Sequence, residues 1–162
     1  MAELTNMETK LGEVIGLAMA AQAATERVEK LTDDRRLKKQ LKTMRQEAAK
    51  AEKDGTAVAA SLNGKKAKIL AEARIVKTKG ATMMKTYLER GSDDLDGFEF
   101  LTMAEAGEVG HWSVLQELNK QARHPGVRDL VKVQLPIQKR HLKEVMAASI
   151  SLAAQEDANA AA

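Results

Sequence analysis

The chain has 162 residues, of which 44% are apolar but only 2% aromatic, and its 26 Lys and Arg barely outnumber its 23 Asp and Glu. That length suits one domain with a substantial core. The absence of cysteine excludes disulfides, thiol catalysis and thiolate metal sites. A net charge of +3 gives little support to a dedicated nucleic-acid binder. Because the N-terminal residues are polar and no apolar run could cross a bilayer, a cytoplasmic protein is expected.

Five helices are predicted in chain order from apolar residues that recur every three or four positions. They cover approximately residues 4–31, 33–53, 57–90, 97–123 and 127–155. A core of Ala, Leu, Ile, Val and Met suits close packing between helices, and only two prolines interrupt the chain. The composition and the pattern together predict an all-α protein.

Capping and helix-breaking residues define the predicted boundaries. Thr32 is expected to cap the second helix, and residues 54–56 to end it and start the third. Gly64 should bend or break the third helix. Asp96 should cap the fourth helix, and Pro136 should kink the fifth.

Short connections join the first helix to the second and the fourth to the fifth, which predicts two antiparallel hairpins. The expected architecture is a long-helix antiparallel bundle of those four helices, with the third helix added to it or crossing over between the hairpins. Residues 1–156 should form a single domain, and residues 157–162 a frayed, Ala-rich tail.

Polar residues interrupt the apolar stripes of the fourth and fifth helices. Glu108 and His111 fall where the fourth stripe should continue, and Gln138 and His141 lie on or beside the fifth. A buried carboxylate needs a partner, so these side chains should form a cluster. If the fourth and fifth helices are antiparallel and their turn is centred near residue 125, residues at equal distances from the turn lie side by side. Three polar pairs meet this condition. These pairs are Glu105 with Glu144, Glu108 with His141, and His111 with Gln138.

Segments 104–112 and 135–141 resemble the third and fourth long helices of ferritin-like bundles with carboxylate-bridged metal pairs. The resemblance is strongest to bacterial ferritin-like stress proteins of the YciE/YciF type, and is best over residues 98–146. It implies a ferritin-like fold, a stress or storage role, and binding of iron or another divalent metal. The implied metal residues are Glu105, Glu108, His111, Gln138, His141 and Glu144. The motif is degenerate, because Gln138 replaces a glutamate and Lys50 stands three residues after Glu47 where a histidine would be.

Two other functions remain open from the sequence alone. The cluster could bind no cofactor and only fix packing in a non-enzymatic structural or interaction bundle. The basic side of the second helix could instead bind nucleic acid, although no aromatic residues accompany it and most such charge runs are simply solvated faces. No complete catalytic motif is present, so no catalytic residue is predicted and an enzyme is not favoured.

A homo-oligomer, with a dimer favoured, is expected from Ala and Met on faces of the third helix that one bundle would leave uncovered. Phe98 and Phe100 point to opposite sides of the fourth helix, which suggests that one of them lies at an interface. No membrane association is expected.

Overall fold

The computed structural model describes residues 3–161, and every regular element in that range is an α-helix. The five helices are α1 (Asn6–Glu29), α2 (Arg35–Ala60), α3 (Lys66–Tyr87), α4 (Asp94–Ala122) and α5 (Pro125–Ala153). The all-α prediction is therefore confirmed. Within residues 3–161, no helix is both long and apolar enough to cross a membrane.

The predicted division into one domain over residues 1–156 and a tail over residues 157–162 stays a prediction. Met1 and Ala2 of the domain and Ala162 of the tail lie outside the described residues. The described part of the tail follows α5 without further helix, and it is exposed.

Side chains that accept hydrogen bonds from free backbone N–H groups determine where the helices begin. Asp34 caps α2, so the predicted cap at Thr32 is wrong by two residues. Asp93 caps α4 in a reciprocal capping box with Asp96, so Asp96 is the third residue of that helix and not its cap. The side chain of His124 accepts from the first turn of α5. In the first two cases a second acidic or hydroxyl residue nearby made the sequence pattern ambiguous.

The predicted boundary at residues 54–56 is wrong, because α2 continues to Ala60. Gly55 is buried inside the helix, and a Cβ atom there would lie 2.7 Å from a side-chain carbon of Ile15. The glycine thus serves close packing of α2 on α1 and does not end the helix. The break falls where Asn63 and Gly64 have positive φ angles of 31° and 76°. A break near Gly64 is confirmed.

The helix α1 packs against α2, α3 and α4, while α5 packs against α4 and α2. One apolar cluster surrounds Trp112 and Leu11, and a second surrounds Phe98. Phe100 is also buried, and its ring stacks on Tyr87 at a centroid distance of 6.0 Å. The expectation that one of the two phenylalanines is exposed is therefore wrong.

The helix α3 lies on α1 and is largely uncovered. Among its described residues only Ile69 and Ala73 are fully buried. Ile75, Met83 and Tyr87 each leave about half of their surface exposed, at 50%, 46% and 54%. The helix therefore packs mainly on α1, and its place relative to a bundle of the other four helices stays a prediction.

Glycines on α1 allow α3 to approach closely. A Cβ atom on Gly12 would lie 2.7 Å from the backbone oxygen of Ile69, and one on Gly16 would overlap the backbone oxygen of Ala73. Backbone atoms cannot move aside as the end of a flexible side chain can. Separation of the two helices is the only way to accommodate larger residues there.

We expect Gly16→Ala to destabilise the protein by about 1–3 kcal/mol, because the methyl group must push α3 away from α1. The matched control is Gly107→Ala on α4, where no atom lies within 4 Å of the added group. That change should stabilise by roughly 0.5–1 kcal/mol, since glycine is unfavourable inside a helix. Urea unfolding of both variants measures the difference, and equal effects would contradict the α1–α3 packing.

Candidate polar centre between α2, α4 and α5

The interior where α4 meets α5 contains five polar side chains, each at most 4% exposed. They are Glu105 and Glu108 on α4, with Gln134, Gln138 and His141 on α5. The two glutamates are spaced three or four residues from each other and from the buried Leu101 and Trp112. They therefore lie on the same face of α4 as those apolar residues and point into the core. We call these five residues, together with Glu47 of α2, the polar centre.

His141 connects two helices to α5. Its Nε2 atom lies 2.5 Å from an Oε atom of Glu47 on α2. Its Nδ1 atom lies 3.7 Å from Oε2 of Glu105 on α4, which is within ion-pair range but longer than a hydrogen bond. Arg140 donates to both carboxylate oxygens of Glu47 at 2.6 Å. One carboxylate of α2 is thus held by two consecutive residues of α5.

Neighbouring charges determine how His141 and Glu47 ionise. Burial by itself would lower the pKa of His141, but Glu105 and Glu47 favour the imidazolium, and the pKa is raised. Burial by itself would raise the pKa of Glu47, but hydrogen bonds from Arg140 and His141 outweigh it, and the pKa is lowered. Both shifts favour the charged pair over its neutral form.

Glu108 behaves in the opposite way. Burial raises the pKa of its carboxyl well above the ordinary value, and the charge of Glu105 raises it further. A proton on Glu108 therefore relieves the repulsion between two adjacent buried acids. The polar centre has more carboxylates than it has cationic partners for them.

Several buried atoms near this position have no hydrogen-bond partner. Within residues 3–161 they include Oε2 of Glu105, Nε1 of Trp112, and both amide atoms of Gln134. Unpartnered buried polar atoms are rare in folded proteins, and such an atom often marks the position of a bound water or ion. The orphaned oxygen of Glu105 is also the one that points towards His141.

Four of the six predicted metal residues, namely Glu105, Glu108, Gln138 and His141, are buried on the helices α4 and α5, which pack against each other. The predicted pairing between α4 and α5 is off by about one helical turn. The glutamate paired with His141 is Glu105 and not Glu108. Glu144 lies at the edge and pairs with Arg140 at 3.4 Å.

His111 is not part of the polar centre, so its predicted position in the core is wrong. Its side chain is 42% exposed and lies 3.1 Å from Glu13 of α1, with Lys10 also 3.1 Å away. Trp112, the next residue along the chain, takes the buried position. The i, i+3 spacing from Glu108 places His111 on the side of α4 that faces α1.

Glu47 is the one carboxylate of the centre that the predicted metal residues omitted, and Gln134 is the one amide. The sequence marks Glu47 as the start of the degenerate motif Glu47-x-x-Lys50 but does not indicate which helix it faces. Its actual partners are His141 and Arg140 on α5, at sequence separations of 94 and 93 residues. Pairing between helices so distant in the chain has no local signature.

No group of three or more His, Asp or Glu side chains in residues 3–161 is arranged so that it could hold a metal ion. No protein-family model, curated protein or solved structure matches the chain. The chemistry of the polar centre must therefore be argued from its own donors, which are carboxylate oxygens, amides and one imidazole.

The opposed pKa shifts predict a pH window for stability. His141 has a raised pKa in the folded protein, so its contribution is complete below 6.5 and is lost as pH rises through the raised value. Glu47 has a lowered pKa, so its contribution is present above 4.5 and is lost as pH falls through the lowered value. His141→Gln should therefore cost most between these limits, about 1.5–3 kcal/mol as for hydrogen bonds to charged groups.

Unfolding of the wild type and His141→Gln across pH 4 to 9 measures this window. The control is His111→Gln, which removes a histidine outside the polar centre. A cost of His141→Gln that is constant over the whole range would show that the imidazolium is not the stabilising form.

Proposed function

We propose that the protein is a ferritin-like bundle that binds one divalent cation at the polar centre. The cation would be held by Glu105, Glu108 and Nδ1 of His141, while Nε2 of the same ring stays on Glu47. The observation that carries the proposal is the pair of buried acids Glu105 and Glu108. Among the described residues, Oε2 of Glu105 accepts no hydrogen bond and has only the His141 ring within ion-pair range. A cation supplies the counter-charge for the second acid, which one imidazolium cannot provide.

The donor set fits iron or another divalent transition metal. Carboxylate oxygens and an imidazole nitrogen are the ligands that such ions use in helical bundles. The three carboxylates of the polar centre, Glu47 included, exceed the charge of one divalent ion by one, and the adjacent Arg140 guanidinium balances it. Before the ion binds, protons occupy the same positions, since the pKa values of Glu108 and His141 are both raised. Binding should therefore release protons.

The packing supports the ferritin-like bundle in this proposal. The helices α1, α2, α4 and α5 are joined pairwise around the interior, and α3 lies outside them on α1. One ion is proposed because two of the positions expected for a metal pair hold Gln138 and Lys50. In the structure the proposed ligand side chains are not arranged around one point, so binding requires the Glu105 and Glu108 carboxylates to move towards Nδ1 of His141. The stress or storage role rests on the resemblance of the sequence alone.

A structural or interaction bundle without a ligand is the second candidate. The observation that favours it is the direct hydrogen bond between His141 and Glu47, which satisfies both groups without a metal. Such a pair would fix the register of helices whose cores are made mainly of small and flexible residues.

Nucleic-acid binding by the basic side of α2 has less support. Lys38 and Arg45 already pair with Asp33 and Glu29. The predicted homodimer stays a prediction, and the uncovered face of α3 is the surface that supports it.

Glu108→Gln separates the two candidates. Because the raised pKa makes ionised Glu108 unfavourable in the folded state, the metal-free variant should be more stable than the wild type at pH 7. A gain of about 1 kcal/mol would raise Tm by roughly 2–4 °C in a chain of this size. The gain should vanish near pH 4, where the acid is protonated in the folded and the unfolded state.

The same variant should lose the ion. Protein purified without chelators should contain metal by elemental analysis in the wild type and not in Glu108→Gln. Added Fe²⁺, Mn²⁺ or Zn²⁺ should raise Tm of the wild type only. Glu117→Gln, an exposed position on the same helix, is the matched control. Stabilisation by Glu108→Gln without any metal effect on the wild type would reject metal binding and support the structural bundle.

A further inference from the structure

A second polar feature lies at one end of the α4–α5 pair, near the turn that joins the two helices. The last two turns of α4 and the first two turns of α5 enclose a cleft of about 710 Å³. Four cationic side chains line it, and no carboxylate does. They are Lys120, Arg123, Arg128 and Lys132, which together we call the cationic cleft.

The positive charge of the cleft is only partly compensated. Glu117 pairs with Lys120 at 2.5 Å, and Asp129 pairs with Arg128 at 2.9 Å, but neither acid lines the cleft. Within residues 3–161, the side chains of Arg123 and Lys132 have no hydrogen bond or ion pair of their own. The four cationic side chains and the two acids paired with them leave a net charge of +2 around the cleft. An anion between the helices would neutralise it.

The backbone at Arg123 is unusual. Its φ and ψ angles of 56° and 29° lie in the left-handed region, at the C-cap of α4 where glycine is the usual residue. Glycine would adopt this conformation at a lower cost, so replacing the arginine by glycine should not disturb the turn.

The turn that carries Arg123 is held in place by buried hydrogen bonds. Asn119 is only 6% exposed, and its amide donates to the backbone oxygen of His124 and accepts from the N–H of the same residue. His124 in turn accepts from the backbone N–H of Val127 in the first turn of α5. The cleft is thus formed before any ligand enters, which reduces the cost of binding.

We propose that the cationic cleft binds a small molecule that carries at least two phosphate groups. Guanidinium groups bind phosphate oxygens in pairs, and the lysines add charge around them. The volume lies within the range for small-molecule sites. No aromatic side chain lines the cleft, so it lacks a platform for stacked bases.

This site is separate from the polar centre. Along α4, Lys120 lies twelve residues after Glu108, roughly 18 Å at about 1.5 Å per residue, and along α5, Lys132 lies nine residues before His141, roughly 13 Å. The proposal therefore does not depend on metal binding.

Calorimetric titration of metal-free protein with inorganic tripolyphosphate in low-salt buffer tests the proposal. We expect one saturable site whose affinity falls as salt is added. Orthophosphate should bind more weakly, because it spans fewer of the cations. No saturable heat at millimolar tripolyphosphate, or equal affinity for orthophosphate, would overturn the proposal.

Variants show whether the cleft is the site. Arg123→Gly removes the guanidinium but suits the left-handed backbone, so it should fold at least as well while its affinity falls by about tenfold. Lys132→Gln should weaken binding similarly. The control Lys139→Gln removes one exposed charge of α5 outside the cleft and should change affinity by less than about twofold. If Lys139→Gln weakens binding as much as Arg123→Gly, the binding is diffuse surface attraction and the site is rejected.

Discussion

The carboxylate of Glu47 joins α2 to α5 through His141 and Arg140, and the position of α2 on the α4–α5 pair depends on that junction. Direct packing between α2 and α5 is less extensive than that between α4 and α5. The ion pair therefore reinforces the least extensive of the four main interfaces among α1, α2, α4 and α5. Because His141 is almost completely buried, its charge is screened less by water than an exposed pair would be.

The polar centre carries a conflict that the rest of the core does not have. His141 can compensate one acid well, and Glu47 is nearest to it, while Glu105 and Glu108 remain buried beside each other. Replacing such a group by apolar residues of the same shape is often neutral or stabilising in other proteins. Cation binding, as proposed above, would resolve this conflict by supplying counter-charge to the two buried acids. The structural alternative requires instead that they fix the register of the helices.

Sequence periodicity predicted the number and type of the elements because long amphipathic helices leave a strong 3.6-residue pattern. It failed at Gly55, where a glycine that permits close packing has the same letter as one that ends a helix. It also failed at His111. A prediction of the buried stripe that is wrong by one residue selects a half-exposed side chain in place of the buried one beside it. In this case Trp112 takes the interior position and the histidine turns towards α1.

The candidate site was predictable only in part, for the same physical reason. Glu105, Glu108, Gln138 and His141 lie on adjacent helices joined by a tight turn, so arithmetic on residue numbers placed them together to within about one turn. Glu47 belongs to a helix that reaches α5 only through the tertiary fold. Likewise, the cationic cleft depends on the left-handed backbone of Arg123, which no spacing rule predicts.

A double-mutant cycle between Glu47 and His141 tests most directly whether this junction holds α2 to α5. The cycle compares the free energies of unfolding of Glu47→Gln, His141→Gln and the double variant with that of the wild type at pH 6 in the absence of metal. We expect a coupling energy of about 1–3 kcal/mol, the range for residues in one buried charged network. A coupling energy within about 0.3 kcal/mol of zero would mean that the two substitutions act independently, and it would contradict a junction at Glu47.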